Sequence, residues 1–221
     1  MFVKPLRSYD DPCGIARGLD RVGERWALLV VRELLLGPRR FTELRAGLPH
    51  MSPNVLSQRL RELEDSGVVQ RRTLPPAASA TIYELTAWGR ELEPVILALA
   101  RWGSRALPIP RGELSASALV IALETTFDPG AGGLRGRIAL ELDGEPFCVE
   151  ASRKGLAVAR GRCDDASATI TADSRSLRAV VFAGQELRHV RREGHLQIDG
   201  DEAFAARFLA SFKRPRATGI C

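Results

Sequence analysis

Residues 52–67 have the sequence SPNVLSQRLRELEDSG, and this stretch decides the fold of the first half of the chain. Its apolar side chains recur at helical spacing and predict one buried face. They are Val55, Leu56, Leu60 and Leu63. Ser52 followed by Pro53 is typical of a helix start, and Gly67 suits the left-handed residue that follows a helix end. We therefore predict a helix of about 22 Å over this segment.

The opposite face of this predicted helix is polar. It carries Asn54, Ser57, Gln58 and Arg61, and no acid lies on that face before Asp65. Asn, Gln and Arg are the side chains that pair bidentately with adenine and guanine edges. An ordinary solvated face more often alternates Glu with Lys or Arg. The pattern favours a helix that reads DNA, with a merely solvated face as the alternative.

The flanking segments predict the rest of a winged helix-turn-helix. Helices are expected over residues 24–36 and 42–46, before the polar-faced helix. Strands are expected over residues 68–73 and 81–85, forming a hairpin around LPPAASA. In this fold the capped helix enters the major groove. A further helix over residues 87–107 is apolar on one side and is expected to pair with a second subunit, the alternative being packing within its own domain.

Composition and charge fit this interpretation. The chain has 221 residues, 45% of them hydrophobic and 27% charged, which predicts a soluble globular protein of one or two domains. The net charge of +5 lies mostly in the first half and suits a polyanionic partner. No apolar run is long enough for a signal peptide or a membrane span, so we expect a cytoplasmic protein without membrane insertion.

Over residues 10–106, the first half of the chain resembles the HxlR family of bacterial transcription regulators. The resemblance lies in Cys13, VGERWALLVVRELLLGPRRF (22–41), SPNVLSQRLRELEDSGVVQRR (52–72), YELTAWGREL (83–92) and Trp102. It implies a dimeric winged-helix protein that binds palindromic operator DNA. Base and phosphate contacts would then come from Ser52, Asn54, Ser57, Gln58, Arg59 and Arg61. The DNA backbone would be gripped by Arg39, Arg40, Arg71 and Arg72.

Two details qualify the resemblance. The wing tip PPAASA has no basic residue, so we do not expect a wing arginine deep in the minor groove. Cys13 coincides with the N-terminal cysteine that some family members use as a thiol sensor. Arg17 and Arg21 lie at helical spacing from it and favour a reactive thiolate, whereas Asp10 and Asp11 oppose one. The alternative for Cys13 is a small packing residue.

The second half predicts a small α+β domain. Two prolines and a glycine in residues 108–113 indicate a linker between domains 1–107 and 114–221. Alternating apolar patterns then predict a helix, four strands, a helix, a strand and a final helix. These cover residues 115–127, 137–142, 146–151, 155–160, 168–172, 174–182, 194–200 and 202–212.

This second domain looks like the sterol-carrier-protein lipid-binding fold over about residues 115–213. The matching features are a Thr-Ile-Thr-Ala strand, a helix ending in Phe-Ala-Gly, a strand and turn GHLQIDGD, and the last helix. The likeness implies an apolar pocket for a hydrophobic small molecule. The predicted lining residues are Phe147, Phe182, Leu187, Phe204 and Phe208, each with a plain core position as its alternative.

No catalytic, metal or cofactor pattern is present in the sequence. His50, His189 and His195 lack a nucleophile in a recognisable motif, and the four scattered cysteines show neither zinc spacing nor the density of a disulfide scaffold. Glycines 130–136 follow a predicted helix rather than a strand, against a nucleotide loop. We therefore predict a non-enzymatic transcription regulator of the HxlR type, with a lipid carrier or scaffold as the alternative.

Overall fold

The computed structural model describes residues 8–73, 80–107, 112–130 and 133–213. Its contacts divide the chain into two compact units, residues 1–96 and 97–221. The predicted linker lies mostly outside the described residues, as do positions 74–79 of the predicted wing tip. The division falls within a helix, eleven or more residues before the predicted linker.

The first unit consists of helices around a three-stranded sheet. The elements are α1 (Gly14–Val22), α2 (Ala27–Leu35), β1 (Arg39–Arg40), α3 (Phe41–Gly47), α4 (Pro53–Asp65), β2 (Val69–Thr73), β3 (Thr81–Leu85) and α5 (Ala87–Arg90), with α6 (Glu93–Gly103) continuing into the second unit. The sheet has the order β1-β3-β2, and both pairings are antiparallel. From α2 to β3 the helices and the hairpin follow the order that the sequence predicts for a winged helix-turn-helix, whereas α1 and the short strand β1 were not predicted.

Two helix boundaries differ from the prediction. Helix α2 begins only at Ala27 because Trp26 has a left-handed backbone with φ of +78°, which no helix interior accepts. The predicted helix over residues 87–107 is instead two helices, α5 and α6. Pro94 lies in the first turn of α6, where the missing N–H is tolerated, but it cannot continue a preceding helix.

The core of the first unit forms beneath α4. Leu56, Leu60 and Leu63 are fully buried and pack with the apolar face of α2, including Val30 and Leu34. Burial of each such side chain contributes about 1.5–3 kcal/mol. The rotation of α4 about its axis is therefore fixed by its own leucines.

The second unit is built on a five-stranded mixed sheet. Its elements are α7 (Ala116–Thr126), β4 (Gly136–Leu142), β5 (Glu145–Ser152), β6 (Gly155–Arg160), β7 (Ala168–Ala172), α8 (Ser174–Arg178), α9 (Leu187–Arg192), β8 (Leu196–Gly200) and α10 (Glu202–Leu209). The strand order is β6-β5-β4-β7-β8. Among the described strands of this sheet, only β4 and β7 run parallel. Because β6 is an edge strand and β7 lies on the far side of β4, the connection from β6 to β7 must cross past β5 and β4.

Short-range sequence patterns predict most of these helices, strands and turns. Asp143 and Gly144 turn β4 into β5 with φ of 53° and 80°, as a type I′ hairpin requires. The helix predicted to end at residue 182 is α8 followed by a π-helical turn, Ala179–Ala183, which stops at left-handed Gly184. The last helix ends at Leu209 rather than residue 212, because Phe212 leaves it to bridge Phe127.

Alternate residues of the sheet face opposite sides. On β5, Phe147, Val149 and Ala151 are buried toward the core of the second unit, which also contains Phe208. Cys148 points to the other face and is half-buried. A disulfide joins Cys148 to Cys163, a bond that the scattered positions of the four cysteines did not predict.

Candidate nucleic-acid interface

Helices α3 and α4 form the helix-turn-helix of the first unit. The turn between them is held by hydrogen bonds from Leu48 N to Arg45 O (3.2 Å) and from Met51 N to Leu48 O (3.0 Å). Both Leu48 and Met51 are buried and anchor the turn to the core. The Ser52 hydroxyl accepts a 3.4 Å hydrogen bond from Val55 N and caps α4 as predicted.

The outer face of α4 carries the polar side chains that the sequence singled out. Asn54, Gln58 and Arg61 are exposed, and their spacing of four and three residues places them in one row along the helix. Ser57 lies beside this row and is half-buried. The row spans about 10 Å of the helix axis, which covers roughly three base pairs of a duplex.

Gln58 and Arg61 in this row differ in their hydrogen-bond partners within the protein. Gln58 donates a hydrogen bond of 3.0 Å to Glu62 Oε1, an exposed contact that exchanges readily with water. Arg61 makes no hydrogen bond or ion pair with any residue in the described part of the chain. Its guanidinium is therefore available to an anion or a guanine edge without breaking a protein contact.

Arg59 lies on the inner side of α4 instead. It is 8% exposed and pairs with Glu62 on the same helix and with Glu24, whose Oε2 lies 3.4 Å from Arg59 Nη1. These pairs tie α4 to the segment before α2. The side chain of Arg59 thus makes its contacts within the protein and does not belong to the exposed polar face of α4.

The four arginines predicted to grip the DNA backbone divide into two groups. Arg39 is 5% exposed and buried, so the proposed interface leaves it out as well. Arg40, Arg71 and Arg72 are exposed on the sheet. Arg40 and Arg72 align with the same residue of β3, Ile82, and therefore lie on one face of the sheet about 10 Å apart.

Strands β2 and β3 form the wing, and Glu84 on β3 holds two side chains of β2 by hydrogen bonds. Its carboxylate accepts hydrogen bonds from Gln70 (2.9 Å) and Arg72 (3.4 Å), both on the neighbouring strand β2. Arg72 is mostly exposed, whereas the side chain of Glu84 is only 12% exposed. When Arg72 turns to a phosphate, the Glu84 carboxylate keeps its hydrogen bond from Gln70. Arg71 has no ion pair among the described residues to break.

Cys13 is an exposed free thiol that directly precedes α1. Its backbone N–H donates to Asp11 Oδ1 at 2.8 Å, and its carbonyl accepts from Arg17 N at 3.0 Å. These contacts fix the backbone at the start of α1 and leave the sulfur facing solvent. His50 is also exposed, between α3 and α4.

The predicted pocket residues of the second unit fall into two sets. Phe147, Phe204 and Phe208 are buried, whereas Phe182 and Leu187 are half-buried. A groove of about 200 Å³ lies on the first unit, where α1 and α5 contribute Val22 and Trp88 to its wall. Sequence spacing does not predict this groove, since α1 and α5 are more than sixty residues apart in the chain.

Charged groups of the second unit serve local contacts. Lys213 Nζ lies 2.7 Å from Asp128 Oδ2, and this hydrogen bond lowers the pKa of Asp128. Arg191 likewise lowers the pKa of Glu202 across a 2.9 Å contact. Burial raises the pKa of Asp173, but hydrogen bonds from Ser176 at the start of α8 outweigh it, so the pKa lies below its ordinary value.

One partly buried polar cluster in the second unit was not predicted. Arg160 pairs with Glu145, donates to Ser117 Oγ at 2.8 Å and lies 4.8 Å from the centre of the Phe147 ring. It joins α7 to the edge of the sheet. Within the described residues, no group of three His, Cys, Asp or Glu side chains is placed to hold a metal ion, and no helix is long and apolar enough to cross a membrane.

Comparison with known proteins identifies the first unit. A family model described as HxlR-like helix-turn-helix matches residues 21–109. The uncharacterized HTH-type transcriptional regulator YvaP of Bacillus subtilis is 40% identical over 88 residues, which cover 40% of this chain and 82% of YvaP. The chain belongs to the HxlR-like helix-turn-helix family.

Other matches of this HxlR-like protein cover the same region. The HTH-type transcriptional regulator YodB of Bacillus subtilis is 36% identical over 84 residues, covering 38% of this chain and 75% of YodB. A solved structure titled as the redox regulator HypR in its oxidized form is 32% identical, with a TM-score of 0.42. It covers 44% of this chain and all of the HypR chain.

Proposed function

We propose that this HxlR-like protein is a transcription regulator that binds operator DNA in a sequence-specific way. The observation that carries the proposal is the exposed row of Asn54, Gln58 and Arg61 on α4, whose rotation is fixed by buried leucines. A helix of this kind fits the major groove, where these side-chain types distinguish base pairs. Relatives named as HTH-type transcriptional regulators support the same function.

Contacts to the DNA backbone supply most of the binding energy in this proposal. Ser52 and Ser57 lie beside the row on α4, and Arg40, Arg71 and Arg72 are exposed on the sheet. Each arginine that neutralises a phosphate releases condensed counterions, so affinity falls steeply with salt. These contacts position the protein, while the row on α4 selects the sequence.

A homodimer is the second part of the proposal. Helix α6 exposes Val95, Leu99 and Trp102, at 52%, 46% and 73% of their surfaces, with the helical spacing of a single apolar stripe. Such a stripe is costly in water and is covered when it pairs with a second copy. Two subunits related by a twofold axis then read two half-sites one helical turn apart, about 34 Å.

Leu99→Arg tests the dimer. The substitution places a charge in the middle of the stripe, and we expect the dimer of the wild-type protein to become a monomer. Analytical ultracentrifugation measures this directly. The matched control is Arg101→Glu, an exposed change on the same helix that we expect to leave the dimer intact. A monomeric wild-type protein, or a Leu99→Arg dimer of unchanged affinity, would contradict the proposal.

A hydrophobic effector bound by the second unit is the third part. The mixed five-stranded sheet with covering helices is the kind of architecture that the sterol-carrier likeness implies. Phe182 and Leu187, the half-buried members of the predicted lining, are the side chains nearest to solvent. Exposed Cys13 adds a candidate thiol sensor on the first unit.

Selection from random duplex DNA tests the function as a whole. We expect the full-length protein to enrich a palindrome whose half-sites are about 10 base pairs apart. Binding to that site should weaken steeply between 50 and 200 mM salt, by roughly a thousandfold or more if six or more phosphates are contacted. A lipid carrier would bind hydrophobic probes and enrich no sequence, and that outcome would replace the proposal.

A further inference from the structure

The Cys148–Cys163 pair joins a strand to the connection that crosses the sheet. Cys148 lies in β5, and Cys163 lies in the connection between β6 and β7, with the two Cα atoms 4.8 Å apart. This connection must pass from the sheet edge to the far side of β4. The bond therefore fastens the crossover to the face of the sheet that points away from the core.

The disulfide lies in a partly exposed part of the second unit. Both cysteines are half-buried, and Arg162 and Asp164 on either side of Cys163 are exposed. The cross-strand neighbours of Cys148 are Ala139 on β4 and Ala159 on β6, which have no long side chain to cover the sulfur. Structural disulfides that resist reduction are instead usually well protected.

The other anchors of the crossover are non-covalent. Gly161 N donates to Pro146 O and Ser167 N donates to Arg137 O, each at 2.9 Å. Arg137 also pairs with Asp165 at 3.2 Å, with both side chains largely exposed. An exposed ion pair adds little. The disulfide is thus the strongest tie between the middle of the crossover and the sheet.

We propose that Cys148 and Cys163 form a reversible oxidation site in the second unit. The inference rests on the proposed function, because a protein that binds genomic DNA works where thiol pools keep cysteines reduced. In such a compartment a disulfide is typically transient and responds to oxidants. The site is separate from Cys13 and lies outside the helix-turn-helix.

The oxidant is a hydroperoxide and the reductant a low-molecular-weight thiol. One thiolate attacks the peroxide oxygen, which breaks the O–O bond, releases water or an alcohol and leaves a sulfenic acid. The second thiol attacks that sulfur, forms the S–S bond and releases water. Reduction takes two thiol equivalents through a mixed disulfide and returns both protons to the cysteines. Two electrons move in each direction.

The decisive experiment measures the redox state of the pair in the full-length protein. Cys13 and Cys221 are first changed to serine, so that the remaining thiols are those of the pair. The protein is equilibrated in buffers of graded reduced and oxidised glutathione, quenched in acid, alkylated and analysed by mass spectrometry. The alkylating reagent labels only reduced thiols. We therefore expect Cys148 and Cys163 to lose this label together as the buffer becomes more oxidising, in one transition at millimolar glutathione.

Two results would overturn the proposal. A pair that stays oxidised in millimolar reduced glutathione is a permanent structural bond. A pair that never forms in oxidised glutathione or hydroperoxide is no redox site. Neither result depends on DNA. Binding of the same samples to the selected operator is measured separately, so failure of this inference can be distinguished from failure of the proposed function.

Trypsin supplies a second readout without a destabilising substitution. Arg162 is exposed inside the crossover, and cleavage after it requires the connection to leave the sheet. We expect cleavage after Arg162 to be several-fold faster in the reduced protein, while cleavage after exposed Arg61 in α4 serves as the internal control and stays unchanged. Equal cleavage in both redox states would show that the bond does not fasten the crossover.

Discussion

Substitution of Arg61 by alanine is expected to weaken binding to the selected operator by roughly 5- to 150-fold, equivalent to about 1–3 kcal/mol. The side chain is exposed at the end of the row on α4 and has no ion pair among the described residues, so its guanidinium is free to contact a base edge. A bidentate contact to guanine is the strongest single-base discrimination available to it. We also expect sequence preference to relax at one base pair of each half-site.

The measurement compares Arg61→Ala with two matched arginine variants by fluorescence anisotropy at several salt concentrations. Arg90→Ala removes an exposed arginine of α5 outside the proposed interface and should change affinity little. Arg71→Ala removes a proposed phosphate contact, so it should weaken specific and random DNA equally and lower the salt slope by about one. If Arg61→Ala behaves like Arg90→Ala, α4 does not read the operator.

The row on α4 was predictable because the signals that define it are local. Leucine spacing sets which face is buried, and Ser52 with Pro53 sets where the helix begins. Every residue of the row is then placed by helix geometry alone. The same reasoning located the Asp143–Gly144 hairpin, whose positive φ angles depend on two neighbouring residues.

The residues that the sequence misplaced depend on contacts between distant segments. Arg59 belongs to the polar pattern of α4, yet it turns inward to Glu24, which lies 35 positions earlier. Arg39 is adjacent to exposed Arg40 but takes the opposite side of β1, and only the pairing with β3 decides which of the two is buried. Composition and spacing carry no information on either choice.

The disulfide shows the same limit. Cys148 and Cys163 are 15 positions apart with no motif between them. They meet only because β7 pairs with β4 rather than with β6, so the intervening chain crosses back over β5. Strand order in a mixed sheet is a global property, which periodicity along the chain does not predict.

Phe208→Ala is the prediction with the largest effect on stability. Phe208 is fully buried and makes an edge-to-face contact with Phe212 at 5.0 Å between ring centres. Its removal leaves a large cavity beneath the sheet, and such truncations cost about 3–5 kcal/mol. We expect the second unit to lose most of its stability while the first unit is unaffected, since each has its own core.

Hydrogen exchange measured by mass spectrometry separates the two units, which a single unfolding curve cannot do. Amides of β7 should exchange much faster in Phe208→Ala, and those of α4 should keep their wild-type rates. Phe182→Ala is the matched control, because a half-buried ring loses less packing and should cost about 1 kcal/mol.

The pair of variants also decides which aromatic residues meet a hydrophobic ligand. If Phe208 is a packing residue, its loss destabilises the unit, whereas Phe182→Ala weakens binding of a hydrophobic fluorescent probe with little change in stability. The opposite pattern, in which Phe208→Ala leaves β7 protected but abolishes probe binding, would mean that Phe208 lines an open cavity. A pocket entered past Phe182 and Leu187 predicts the first pattern, in which Phe208→Ala destabilises the unit and Phe182→Ala weakens probe binding. The core depends on Phe208 for its stability, so this side chain is not free to move aside for a ligand.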